Sequence, residues 1–107
     1  MKFWYYDLDE QPDDRVAVLR IPGSAANVIL LDPLNFYRYR NGQSFSYLGG
    51  YHWRTPVRLE IPGGEHWYLV IDDGGYGRSV RAELQVLTPH ESGARSEPET
   101  MAAGSRP

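Results

Sequence analysis

Val57, Leu59 and Ile61 alternate with Arg58 and Glu60, and Val80, Ala82, Leu84 and Val86 alternate with Arg81, Glu83 and Gln85. Each pattern predicts a strand with one face in a core and one in water. Asn27–Leu31 is instead a near-continuous apolar run, short enough to predict a strand buried on both faces. Phe3–Tyr6 is a short aromatic run, followed by an acidic connection through Asp7, Asp9, Glu10, Asp13 and Asp14. Arg15–Ile21 is rich in Val, Leu and Ile and stops at the turn signal Pro22-Gly23-Ser24. Gln43–Leu48 predicts a further strand, with Phe45 and Tyr47 on one face and Gly49-Gly50 at its end.

Val57–Ile61 and His66–Asp72 are joined by Pro62-Gly63-Gly64-Glu65, which predicts a hairpin. A loop of odd length puts Trp67, Leu69 and Ile71 on the face of Val57, Leu59 and Ile61; one residue of slip would put His66, Tyr68 and Val70 there. The odd loop buries the larger and less polar set, and three-residue hairpins use a left-handed Gly. His66, Tyr68 and Asp72 are then expected on the other face, beside Arg58 and Glu60. One segment predicts helix: Asp32 is a suitable cap, Pro33 suits the first helical position, and Gly42 suits the residue beyond the end. About seven to nine short strands and one short helical turn predict an all-β domain, a single compact antiparallel β-sandwich, jelly-roll-like or a partly closed barrel.

Composition sets the boundaries. Thr88 to Pro107 carries no aromatic and, apart from Thr88 and Thr100, no β-branched residue, a composition that does not bury enough apolar surface to order itself. The domain is therefore expected to span residues 1–87, with residues 88–107 as a flexible C-terminal tail. Cysteine is absent, which removes disulfides and thiolate metal sites and fits a reducing compartment. The first residues lack the apolar run of a signal peptide, and no stretch is long and apolar enough to span a membrane, so the expected location is cytoplasmic.

Formal charge is −3, yet Pro33 to Leu59 holds Arg38, Arg40, Arg54 and Arg58 and no acid, together with half of the chain's aromatic residues. Arginine forks grip phosphates and carboxylates, and aromatic faces stack on planar rings. The competing reading makes Phe36, Tyr47 and Trp53 core residues and pairs the arginines with the acidic Asp7–Asp14 segment. Extended nucleic acid is disfavoured by the negative charge and the single lysine, Lys2. His52 and His66 meet only through tertiary structure, with Asp72 and Asp73 as companions, and no local spacing supports a metal site. Asp72-Asp73-Gly74-Gly75-Tyr76-Gly77-Arg78 is followed by a strand and reads as a turn, not a phosphate loop. No nucleophile elbow occurs, and an acid/base pair from His66 and Asp72, or from Asp72 and Glu60, has no supporting constellation.

Several short elements, in order, resemble a bacterial family known as domain of unknown function 1883. They are Tyr6-Asp7-Leu8, Ala25-Ala26-Asn27-Val28 with Asp32, Asn35-Phe36, Tyr39-Arg40-Asn41-Gly42, Tyr47-Leu48-Gly49-Gly50, Pro56 to Pro62, His66-Trp67 and Asp72. The family pattern has Ser where Thr55 stands and His where Tyr68 stands, which weakens any role needing a histidine there. The resemblance implies an all-β fold and bacterial origin. Some relatives are fused to TIR domains, which implies a sensing or recruitment module, here as a stand-alone version; it implies no activity residue by residue.

The expected function is a non-catalytic binding module for a small anionic, planar or nucleotide-like ligand, with no cofactor and no metal. Its candidate contacts are Tyr39, Arg40 and Arg58, with His66, Tyr68 and Asp72 as a polar rim that makes binding pH-sensitive. The alternative is a protein-interaction or homo-oligomerisation module using Trp4, Tyr5, Tyr51 or Trp53 and an exposed first strand.

Overall fold

The computed structural model describes residues 3–21, 26–52, 56–72 and 82–88, and the backbone of residues 100–101 and 104–106. In chain order the elements are β1 (Phe3–Gln11), β2 (Arg15–Arg20), β3 (Ala26–Leu31), α1 (Pro33–Arg40), β4 (Leu48–His52), β5 (Val57–Ile61), β6 (Glu65–Asp72), β7 (Glu83–Leu87), β8 (Thr100–Met101) and β9 (Gly104–Arg106). All described strand pairs are antiparallel. They form a five-stranded sheet A in the order β4-β3-β6-β1-β9 and a four-stranded sheet B in the order β5-β2-β7-β8. The expected all-β sandwich is what the chain forms. No described helix is long and apolar enough to cross a membrane.

Alternation along the strands builds the core between the sheets. Tyr6, Leu8, Val28, Leu30, Trp67, Leu69 and Ile71 of sheet A meet Ala17, Leu19, Val57, Ile61 and Leu84 of sheet B. A second cluster lies on the outer face of sheet A, where Phe36 and Tyr39 of α1 cover Phe3, Ile29, Leu31 and Val70. The helix thus makes a third layer, and β3 and β6 in mid-sheet are buried on both faces, as the run Asn27–Leu31 predicts. Burying a side chain of this size stabilises by about 1.5–3 kcal/mol, so losing the helix would expose a whole face of the sheet.

Local signals explain why α1 forms where it does. Asp32 Oδ1 accepts the Asn35 amide at 2.8 Å, satisfying one of the orphan donors of the first turn, and Pro33 follows. At the other end Gln43 N–H donates to the Arg38 carbonyl and Gly42 N–H to that of Tyr39, with Gly42 at φ +69°. This is a Schellman stop, which needs the left-handed residue that Gly supplies. The Ser46 amide donates to Asn35 Oδ1 at 2.8 Å and ties the chain beyond the helix back to its first turn.

Three sequence expectations change. The first strand does not end at Tyr6: it runs to Gln11 across a bulge between Asp7 and Glu10, where Asp9 takes φ +57°. Residues 43–47 are irregular, and Gly49-Gly50, read as a strand end, lie inside β4. A Cβ on Gly49 would stand 2.3 Å from the Val28 carbonyl oxygen, so this contact with β3 admits only glycine. Finally, β5 and β6 are joined by a loop of the expected odd length, three residues with Gly64 at φ +83°, but they do not pair. β5 pairs with β2, and β6 lies between β3 and β1, so the loop is a corner between sheets. Alternation reports which side of a strand is dry; it does not report the hydrogen-bonded neighbour. Beyond β7 the described backbone adds β8 and β9, each on a sheet edge.

Gly49→Ala is expected to cost roughly 2–4 kcal/mol, since it combines a steric clash with a strained φ. Gly42→Ala, which has open space around it, should cost only about 1 kcal/mol. Urea unfolding of both variants checks the order; equal losses would show that the Gly49 contact can relax.

Candidate functional site

The helix and the outer face of sheet A gather five of the six residues singled out from sequence. Tyr39 is buried, packed edge-on against Phe3 at 5.0 Å and Phe45 at 5.2 Å, and its hydroxyl donates to Asp72 Oδ2 at 2.5 Å. It is therefore a pillar of the outer cluster and has no face open to a ligand. Burial and the Asp72 hydrogen bond push its pKa well above the ordinary tyrosine range.

Arg40, Tyr68 and His66 belong to a ladder of stacked groups. The Arg40 guanidinium carbon lies 4.9 Å from the centroid of Phe36. Phe36 stacks on Tyr68 at 4.2 Å, and Tyr68 lies 4.8 Å from His66. His66 Nε2 then meets Asp7 Oδ1 at 2.5 Å. Cation–π and aromatic contacts of this kind each contribute about 0.5–1.5 kcal/mol and hold the exposed arginine in place. The Tyr68 hydroxyl is pushed up by burial and by the negative charge of Asp7, with Arg40 acting in the opposite sense.

Asp7 and Asp9 were missed as site residues because the acidic run looked like a connection. The β1 bulge puts one extra residue opposite β6 and leaves Asp7, Asp9 and His66 with ligand atoms within 4.8 Å of one another. Asp7 Oδ1 also accepts the Asp9 amide at 3.0 Å. The signal available in sequence was the spacing of Asp7 and Tyr5 by two, which places both on one strand face.

Arg58 is not part of this constellation. It stands on β5 in sheet B, where it lines an open cleft of about 1130 Å³ with Asp13, Asp14, Glu60, Leu48 and Leu59. It was expected beside His66 only because β5 and β6 were expected to pair. An acid/base pair from His66 and Asp72 is also not assembled: the two stand six residues apart on β6, roughly 20 Å at 3.3 Å per residue. Their partners are Asp7 and Tyr39 respectively. His52 is cross-strand from Ala26 on the inner side of β4, and its buried Nε2 has no hydrogen-bond partner among the described residues; the same holds for Trp67 Nε1. Trp53, Arg54 and the Asp73–Arg78 loop lie outside the described residues.

The profile of the family described as "Domain of unknown function (DUF1883)" matches residues 1–90. No curated protein and no solved structure matches the chain.

The tyrosines make a testable pH dependence. Tyr6, whose hydroxyl donates to the Ala82 carbonyl at 3.3 Å, is pushed up to about 12 by burial and then by Glu83, against 10.0 for an ordinary tyrosine. Tyr39 is raised as well. A raised native pKa means that the folded state keeps protons the unfolded chain has released. Stability is thus expected to be fully present below pH 10 and to fall between about pH 10 and 12. Urea unfolding across that range should show the fall, and Tyr39→Phe should make it shallower; an unchanged slope would disconnect Tyr39 from the effect.

Proposed function

We propose, from the premise that the chain belongs to the DUF1883 family of unknown function, that it is a non-catalytic module binding a small planar anion. The supporting observation is the ladder of Arg40, Phe36, Tyr68 and His66, with Asp7 and Asp9 at its far end. Arg40 would take the anionic group by a charge-assisted fork. Tyr68 and His66 offer half-buried ring edges to a heterocycle, and the two carboxylates accept from its N–H donors. A nucleoside monophosphate combines these three features in one molecule. A sensing or recruitment role in the cytoplasm, as the family resemblance implies, would suit such a ligand.

Titration of ¹⁵N-labelled protein with nucleoside monophosphates, inorganic phosphate and free bases tests the reading. Monophosphates are expected to shift the amides of α1 and of His66–Tyr68. Arg40→Ala should weaken binding roughly tenfold to a hundredfold, the worth of a charge-assisted hydrogen bond, while Arg58→Ala should leave it unchanged. No shifts with any probe, or shifts confined to the Arg58 cleft, would sink the assignment.

A further inference from the structure

Sheet A ends on β4, which pairs with β3 on one side and, among the described residues, with no strand on the other. Unpaired edges invite another strand, and folds ordinarily blunt them with charge, proline or a bulge. β5, the outer strand of sheet B on the same side of the sandwich, follows that rule through exposed Arg58 and Glu60. β4 does not. Residues 42–53 contain no Asp, Glu, Lys, Arg or Pro, and the register of β4 against β3 runs unbroken through five pairs. Of the five exposed large apolar side chains among the described residues, Tyr47, Leu48 and Tyr51 fall on this stretch, while Leu34 and Tyr37 are on α1.

We propose that β4 pairs antiparallel with β4 of a second copy of this chain, about a two-fold axis through Gly50. The two five-stranded sheets would become one of ten strands. This register uses all five residues of β4. Gly50 faces Gly50, Leu48 faces His52, and Gly49 faces Tyr51, each contact occurring twice by symmetry. Gly49 and Tyr51 share the outer face of the sheet, being cross-strand from Ile29 and Asn27. The contact with Val28 bars any side chain from position 49, so the ring of Tyr51 from the second copy covers backbone that this chain leaves bare. An aromatic laid across an edge glycine is an established way to close such a gap. Because β4 is uncharged, like-with-like pairing sets no equal charges opposite each other. The same pairing attempted by β5 would begin from a row of charged side chains.

Sedimentation velocity on the full chain, from low micromolar to several hundred micromolar, tests this directly, with hydrogen exchange at both ends of the range. The expected result is a reversible dimer whose formation slows exchange in β4. Tyr51→Lys replaces a side chain that is 59% exposed, so the monomer should keep its fold by circular dichroism. The dissociation constant should rise roughly tenfold or more, since the symmetry removes the contact twice. Glu10→Lys, on β1 across two intervening strands, should leave dimerisation unchanged. A monomer at every concentration overturns the proposal. So does a dimer that survives Tyr51→Lys, or one whose formation slows exchange in the C-terminal strands and not in β4.

Discussion

Val28 and Leu30 face sheet B while Ile29 and Leu31 of the same strand face α1, and none of the four exceeds 5% exposure. Sheet A therefore works only if both of its sides are kept dry. Sheet B covers one side by the ordinary sandwich arrangement. The other depends on eight helical residues, fixed by the Asp32 cap and the Gly42 stop, which deliver Phe36 and Tyr39 onto β3 and β6. A helix this short has little intrinsic stability in water. Helix and sheet face stabilise each other, and neither would persist alone.

The residues with chemical character are organised by the same contact. Phe36 is at once a core residue of the outer cluster and the platform on which Arg40 and Tyr68 are held. Tyr39 anchors the opposite end of the helix to Asp72. Between these anchors the face presents a cation at one end and carboxylates at the other, with His66 hydrogen-bonded to Asp7. The arrangement is rigid, partly shielded and built from mutual contacts. His66 and Asp72, the groups on β6 able to move protons, are engaged with partners on different elements, Asp7 on β1 and Tyr39 on α1.

Much of this was legible before folding. The helix was marked by Asp32, Pro33 and Gly42, each read through a specific backbone requirement, and all three occupy the expected positions. The double burial of β3 followed from its near-continuous apolar run, and the odd length of the Pro62–Gly64 loop from the faces it had to align. The site was legible only in part. Arg40, His66 and Tyr68 come together, but Asp7 entered through a bulge, a one-residue register change that no hydrophobic pattern announces. Arg58 was misplaced because adjacent strands were assumed to pair.

The amino-acid sequence by itself determined the all-β class, the helix α1 and the dry side of nearly every described strand, because those follow from residue spacing and from what Gly, Pro and Asp permit locally. Tertiary structure decided which strands became neighbours, which side of sheet A the helix covered, and which charged groups met. Those outcomes depend on contacts between residues as far apart as Asp7 and His66 or Tyr39 and Asp72. Their partners are selected by how two sheets and a helix share one core, and local spacing carries no record of that choice.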